Sequence, residues 1–177
     1  MNTDEQLLDA ARKFDPEALR TIFDSYSSHI FNFALRLCQD SIEADNIVGD
    51  VFALLLERLA QGQGPTSNLR SYLFQIAYHR IVDGARARKH TAPLETADFT
   101  HHEETSLAQQ AEDDLMLTTV IKAMQTELTP DQYQVLVLRF VEEFNIHETA
   151  EIMGKNVNNV KVIQSRAIEK LRQATKR

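Results

Sequence analysis

Residues 128–173 have the sequence LTPDQYQVLVLRFVEEFNIHETAEIMGKNVNNVKVIQSRAIEKLRQ, which contains the most specific local pattern in the chain. Thr129 and Gln132 have the spacing of a capping box, and Pro130 suits the first turn of a helix. A helix is therefore predicted to begin here. It leads into a run of apolar residues, namely Val135, Leu136, Leu138, Phe140 and Val141.

A second capping-box arrangement, at Asn145 and Glu148, opens a short helix with the sequence IHETAEIM. This helix is expected to end at Gly154, where a residue free to take positive φ lets the chain turn sharply. Asn156 can cap the next helix, and small Ala150 allows the two helices to cross closely. Apolar residues recur in that next helix at three- and four-residue spacing, at Val157, Val160, Ala167 and Leu171. The pattern is typical of a helix-turn-helix.

The last predicted helix has side chains suited to the major groove of DNA. Asn can pair with adenine edges, Lys and Arg can bind guanine or phosphate, and Val can touch a thymine methyl group. The helix N-terminus also favours nearby phosphate. The residues expected to face outward are Asn158, Asn159, Lys161, Val162, Ser165 and Arg166. The alternative is a helical hairpin that packs onto another protein, with its basic residues only in contact with solvent.

Charge is unevenly distributed along the 177 residues, whose formal net charge is −7. Residues 91–127 hold one base and eight acids, whereas residues 153–177 hold seven bases and one acid. Residues 70–90 form a second basic island, with five bases and one acid. Two basic islands separated by an acidic segment suggest two contacts with a polyanion. Charge alone is equally consistent with two solvated helix faces.

Three further helices are predicted in the first half of the chain. The first runs from Pro16 to Leu37, the second is capped by Ser41, and Ser67 opens the third. The second helix shows an acidic face with Glu43, Asp45, Asn46, Asp50 and Glu57. The third is expected to keep a basic set in solvent, namely Arg70, Arg80, Arg86, Arg88 and Lys89.

These patterns predict an all-α protein with two small helical domains, an N-terminal bundle and a C-terminal helix-turn-helix domain, joined by an acidic flexible linker. The expected bounds are 1–90, 91–113 for the linker and 114–177. A new helix is predicted to start near Ser106 within that range and to run to about Glu127.

Several classes of protein are disfavoured by the sequence. No apolar run approaches the ~18 residues of a membrane span, and the first residues are polar, without a signal peptide. The single Cys38 allows no internal disulfide, which fits the cytoplasm, and is expected to be a buried small hydrophobe. His101 and His102 are adjacent and have no metal-ligand spacing, so neither metal nor cofactor is predicted. No phosphate loop or activated nucleophile indicates an enzyme.

The chain resembles the extracytoplasmic-function (ECF) type of bacterial sigma factor over residues 16–89 and 128–172. Residues 128–172 are similar to the family's fourth region. EADNIVGDVFALLLERL resembles the segment that holds the clamp helices of the polymerase largest subunit. NLRSYLFQIAYHRIVDGARARK resembles the part that binds and opens the downstream promoter element. Here Gly49 and Asp50 replace a usual Gln-Glu pair, and Val162, Ile163 and Gln164 stand where Ser, Arg and Leu are common.

The resemblance implies a sigma factor that binds core RNA polymerase and directs promoter-specific initiation. It implies that Asn46, Asp50, Phe52 and Glu57 contact the polymerase. It also implies that Tyr72, with the basic third helix and the loop at residues 61–68, holds the melted non-template strand, and that the last helix binds duplex promoter DNA. An anti-sigma factor is a further partner common in the family.

Three other functions remain open at this point. A free-standing helix-turn-helix regulator, with the N-terminal bundle for dimerisation or sensing, accounts for the C-terminal pattern equally well. It leaves the acidic second and basic third helices without a role. A helical enzyme or a protein-only adaptor explains less of the sequence.

Overall fold

The computed structural model describes residues 3–91, 120–121 and 124–174. In these residues the regular structure is helical, without a strand. The chain divides into two compact units, Met1–His102 and Glu103–Arg177. The all-α class with two helical domains is therefore confirmed, whereas the boundaries expected at residues 90 and 113 stay predictions. Most of the expected linker and of the helix expected after residue 106 lies outside the described residues, although residues 120–121 and 124–127 are helical.

The described residues of the N-terminal unit form four helices. The second begins as predicted at Pro16, and Asp15 caps it by accepting a hydrogen bond from the backbone N–H of Ala18 at 3.1 Å. The first was not expected from its polar sequence, but Leu8 and Ala11, one turn apart, are buried. The helices are α1 (Thr3–Arg12), α2 (Pro16–Cys38), α3 (Ser41–Ala60) and α4 (Leu69–Thr91).

Two of these helices begin differently from the prediction. Asp40, not Ser41, caps α3, because its carboxylate accepts from the backbone N–H groups of Ile42 and Glu43 at 2.9 and 3.0 Å. Ser41 is the first helical residue. Before α4, Asn68 takes a positive φ of 51° and its carbonyl accepts from the Tyr72 N–H. Asn tolerates this conformation better than most residues, so the helix starts after it rather than at Ser67.

The core of the unit lies where α2, α3 and α4 pack together. Phe33 and Phe74 are fully buried there, with ring centroids 5.0 Å apart. The buried residues of α3 recur at three- and four-residue spacing, and Val48 and Phe52 at the margin of that side are half-buried. The buried residues of α3 are Ala44, Ile47, Val51, Leu55 and Leu59.

The C-terminal unit contains the predicted helix-turn-helix. Both capping boxes are present, with Gln132 and Thr129 bonded reciprocally and Glu148 and Asn145 bonded reciprocally. The described elements are α5 (Pro130–Leu136), a π-helical turn (Val137–Val141), α6 (Ile146–Ile152) and α7 (Val157–Ala174).

The turn between α6 and α7 also forms as predicted. Gly154 has a positive φ of 62°, and the Asn156 side chain caps α7 by accepting from the backbone N–H of Asn159 at 2.8 Å. Ala150 is buried, as a residue that packs between helices would be. The local capping residues therefore determine where each helix of the motif begins and ends.

The π-helical turn was not predicted. The backbone N–H of Glu142 bonds to the carbonyl of Val137 at 2.9 Å, five residues earlier. This wider turn changes the angular spacing of the side chains. Leu138 is buried, while Phe140, two residues further along, is 57% exposed.

Candidate nucleic-acid and protein interfaces

The six residues predicted to face outward on α7 are all exposed. Val160 and Ala167 are fully buried and define the opposite side of the helix. Asn158, Val162 and Ser165 lie at helical spacing along one exposed row, with Lys161 on one side of it and Asn159 and Arg166 on the other. The row presents amide, methyl and hydroxyl groups flanked by positive charge. Val162, 46% exposed, is the apolar member.

Arg139 was not identified from the sequence as part of this site. Its Nε donates to Oε1 of Gln164 on α7 at 3.0 Å, and its Nη1 donates to the carbonyl of Phe144. Phe144 directly precedes Asn145, the cap of α6. One guanidinium group therefore joins the π-helical turn, the start of α6 and the middle of α7.

The residues predicted to contact polymerase do not all lie on one side of α3. Asn46, Asp50 and Glu57 are exposed and share one face, because they are four and seven residues apart. Phe52 lies across the helix from Asp50, two residues or about 200° away. The Phe52 ring is half-buried, and its centroid lies 4.8 Å from the ring centroid of Phe23 on α2. The Phe23 residue is 47% exposed. Leu56 adds exposed apolar surface to the same helix.

The basic residues of α4 do not form the single solvent-facing side that was expected. Nη1 of Arg88 lies 2.6 Å from both carboxylate oxygens of Glu43, and Nε of Arg80 lies 3.6 Å from a carboxylate oxygen of Asp50. Both arginines therefore meet acids of α3. The hydrogen bonds that Arg88 donates to the Glu43 carboxylate raise the pKa of Arg88 above its already high ordinary value, against the opposing effect of burial.

The other basic residues of α4 lie elsewhere. Arg86, two residues before Arg88 and hence across the helix, lies 3.6 Å from Asp83. Arg70 is half-buried, and its guanidinium lies 5.3 Å from the ring centroid of Phe74. The Lys89 side chain lies outside the described residues. Arg80, Arg86 and Arg88 are exposed, as expected, but helical periodicity places the basic residues of α4 on different sides, so they do not form one basic face.

Tyr72 lies near the loop that joins α3 to α4. Burial raises the pKa of its half-buried phenol, and the positive charge of Arg58 opposes this shift. Arg58 also holds the loop, since its Nη1 donates to Oε1 of Gln63 at 2.8 Å and its carbonyl accepts from the Gln63 N–H. His79 and Arg86 are exposed and follow Tyr72 at seven-residue spacing, so the three share one side of α4. Neither Arg58 nor His79 was identified from the sequence.

Two family models match the two units described above. The model of sigma-70 region 2 matches residues 22–91, and that of sigma-70 region 4 matches residues 126–173. The chain belongs to the sigma-70 family. Region 2 contains α3 and α4, and region 4 contains the helix-turn-helix.

Named relatives assign the sigma factor to the ECF type. The ECF RNA polymerase sigma factor BldN of Streptomyces coelicolor is 22% identical over 170 residues, which are 94% of this chain and 63% of BldN. The ECF sigma factor SigX of Bacillus subtilis is 24% identical over 161 residues, 88% of this chain and 82% of SigX. The family resemblance and the transcription-initiation class inferred from the sequence are confirmed.

Solved structures show the same fold at low sequence identity. CnrH, in complex with the cytosolic domain of CnrY, has a TM-score of 0.72 at 17% identity, covering 99% of this chain and 98% of that chain. RpoE of Bartonella quintana, in complex with the anti-sigma factor NepR, has a TM-score of 0.63 at 20% identity, covering 89% of this chain and 96% of the RpoE chain.

In the part of the chain that the structure describes, no helix has the length and apolar character needed to cross a membrane. The described residues also contain no group of three or more metal-ligating side chains. His101 and His102 lie outside them.

Proposed function

We propose that this sigma factor binds core RNA polymerase and directs it to specific promoters, with α7 recognising the upstream promoter element as duplex DNA. The exposed row at Asn158, Val162 and Ser165 is the observation that supports this most strongly. Amide groups can pair with adenine edges, and the valine can contact a thymine methyl group. Lys161 and Arg166 beside the row supply phosphate contacts, which fix the helix in the groove.

The exposed side of α3 is the proposed contact with core polymerase. Asn46, Asp50 and Glu57 supply its polar part. Leu56 adds exposed apolar area on the same helix, and Phe52, across the helix from Asp50, contributes together with the exposed surface of Phe23. A polar row beside exposed apolar side chains is typical of a protein interface, because apolar burial supplies affinity and the charges supply specificity.

Tyr72 and the loop at residues 61–68 are the proposed site for an unstacked base of the melted non-template strand. Stacking of a base on an aromatic ring contributes about 1–3 kcal/mol, which offsets part of the few kcal/mol needed to unstack it. Arg86 and His79, on the same side of α4, extend this surface along the strand. Arg70 and Lys89, near opposite ends of α4, are proposed to supply positive charge for the phosphate backbone of the DNA strand.

The charge distribution leads us to expect that the free protein binds DNA weakly. Its net charge of −7 opposes a polyanion, and the pairing of Arg80 and Arg88 with acids of α3 removes two of the local positive charges. We infer that tight promoter binding requires the holoenzyme. The acidic linker, residues 91–113, is proposed to pass near the RNA path of the polymerase.

The chain has no proposed catalytic role, since the polymerase supplies the chemistry. It is proposed to act in the cytoplasm, where the bacterial polymerase works. An anti-sigma factor is a proposed partner, as for RpoE of Bartonella quintana, whose structure contains NepR. On this chain, such an anti-sigma factor is proposed to bind the surfaces that are proposed to contact DNA and polymerase.

Reconstitution with bacterial core polymerase tests the function. The purified chain should co-elute with core polymerase and confer start-site-specific transcription on a promoter library. Binding to DNA as a dimer without association with the core enzyme would instead support a free-standing helix-turn-helix regulator. Association without specific transcription would support a protein adaptor.

Paired substitutions test the two interfaces separately. Charge reversal at Asp50 and Glu57 should weaken core binding, whereas reversal of Asp24, an exposed acid on α2, should not. Replacing Lys161 and Arg166 with Ala should lower the salt slope of holoenzyme binding to promoter DNA by about 2, because about 0.9 counterion is released per phosphate contact.

Lys170→Ala is the matched control for the second pair, since it removes one exposed charge from α7 beyond the proposed DNA face. An equal effect of Lys170→Ala would show that net charge, not the position of the side chains, determines affinity. Unchanged core binding after the charge reversals would remove the proposed polymerase contact.

A further inference from the structure

We propose that Arg139 is a positioning residue for promoter recognition, which orients the Gln164 amide so that its N–H groups donate to the DNA backbone beside α7. This inference rests on the proposed function of α7. It assigns roles to two residues that lie outside the exposed row at Asn158, Val162 and Ser165.

The direction of the Gln164 amide follows from the chemistry of its partner. An arginine side chain has only donors, so the atom that faces Arg139 at 3.0 Å is the amide oxygen. The Gln164 NH₂ group lies in the same amide plane, on the opposite side of the Cγ–Cδ bond axis from the oxygen, and therefore points away from Arg139. Without Arg139, the terminal torsion of the glutamine is broad and both orientations are accessible.

The position of Gln164 on α7 places this amide at the flank of the proposed DNA face. Gln164 is half-buried, three residues after exposed Lys161 and four after buried Val160. Residues three and four apart are neighbours on a helix surface. The amide thus lies between the packed side and the Lys161 side. When the first turns of a recognition helix enter the major groove, this flank meets a phosphate strand.

The second bond of Arg139 makes the orientation specific. The guanidinium holds Gln164 through Nε while Nη1 holds the carbonyl of Phe144, next to the cap of α6. A fork of fixed geometry can satisfy both acceptors at once, whereas a lysine ammonium on a flexible stem fixes neither as well. Arg139 therefore sets the amide relative to the whole helix-turn-helix.

Gln164→Glu separates the two roles of this side chain. A carboxylate accepts the Arg139 bond at least as well as the amide, so the C-terminal unit should keep its melting temperature. It has no N–H to donate and repels phosphate, so promoter affinity of the holoenzyme should fall about tenfold. Gln173→Glu makes the same charge change on α7, about 13 Å further along the helix axis, and should have a much smaller effect.

Arg139 variants test positioning against direct contact. Arg139→Ala should lower promoter affinity about three- to tenfold and leave the salt slope unchanged, because a neutral amide releases no counterion. Its effect should not add to that of Gln164→Leu, since both remove the same bond. Arg139→Lys keeps the charge and should reproduce the loss.

Three results would overturn the inference while the proposed function stands. A salt slope lowered by about 0.9 in Arg139→Ala would identify a phosphate contact. Additive losses in the double variant would separate the two residues. Wild-type affinity in Gln164→Glu would remove the donor role, and this variant remains informative if Arg139→Ala fails to fold. Failure of the wild-type holoenzyme to bind promoter DNA would instead remove the proposed function itself.

Discussion

The ion pair between Glu43 on α3 and Arg88 on α4 should stabilise the N-terminal unit measurably. Both Glu43 oxygens lie 2.6 Å from Arg88 Nη1, and the Glu43 side chain is only 23% exposed. Charge-assisted hydrogen bonds contribute about 1.5–3 kcal/mol when sheltered, and exposed ion pairs about 0.2–1 kcal/mol. Because the Arg88 side chain is 55% exposed, we expect a coupling of about 1 kcal/mol.

The coupling can be measured with Glu43→Gln, Arg88→Gln and the double variant. A loss of 1 kcal/mol corresponds to a fall in melting temperature of about 4–8 °C for a domain of this size. Differential scanning calorimetry of the full chain should show the fall in the transition of the N-terminal unit. Each single substitution should produce most of it, and the double variant should add little.

Asp83 and Arg86 provide a matched control on α4. Their closest atoms are 3.6 Å apart and both side chains are more than 70% exposed, so their coupling should not exceed about 0.5 kcal/mol. Equal couplings for the two pairs would refute the reasoning. So would a stability loss in Arg88→Gln that is absent in Glu43→Gln, since the arginine would then act through other contacts.

The pKa of Arg88 determines how its contribution to the stability of the N-terminal unit depends on pH. A raised folded-state pKa contributes stability at every pH below the unfolded value, and the contribution is lost as pH rises through the folded value. The pKa of Arg88 is raised from an ordinary value that is already strongly alkaline. The arginine should therefore contribute no pH dependence between neutral and moderately alkaline pH.

Three further predictions concern single residues. Gly49→Ala should raise the melting temperature of the N-terminal unit, because alanine is favoured over glycine in a helix by about 1 kcal/mol and no neighbouring atom lies within 4 Å of the added Cβ. Gly84→Ala should raise the melting temperature less, because its Cβ would lie 3.0 Å from a Glu43 oxygen. Burial raises the pKa of the half-buried Cys38 thiol, so alkylation of the native chain should require a higher pH than alkylation in urea; equal profiles would contradict this. Tyr72→Ala should lower promoter opening about tenfold or more, measured by permanganate reactivity of unpaired thymines, while Tyr72→Phe retains the stacking ring and should open normally.

The capping residues of the C-terminal unit could be predicted because their contacts are local. Thr129 bonds to Gln132 and Asn145 to Glu148, each three residues away. Such a bond depends on the conformation of a single turn, which neighbouring residue types largely determine. The sequence therefore predicts the helix-turn-helix from local contacts alone.

The predicted start of a helix was wrong where either of two adjacent residues could act as the N-terminal cap. Asp40 and Ser41 are both good caps, and the sequence alone does not decide between them. The carboxylate of Asp40 has the capacity to accept from two backbone N–H groups, and both bonds form. For α1 the signal was weak for a different reason. Among the α1 residues whose burial the structure describes, Leu8 and Ala11 are buried, and they need a surface supplied by helices later in the chain.

The contacts that modify the candidate sites could not be predicted because they join distant segments. Glu43 and Arg88 are 45 residues apart, and Arg139 and Gln164 are 25 apart. Periodicity indicates which side of its own helix a residue occupies, but not which neighbouring helix that side meets. A charge counted from the sequence as available for DNA can therefore be neutralised by an acid on another helix. For α4 this shifts the proposed strand-binding surface away from Arg80 and Arg88, towards the side that carries Tyr72, His79 and Arg86.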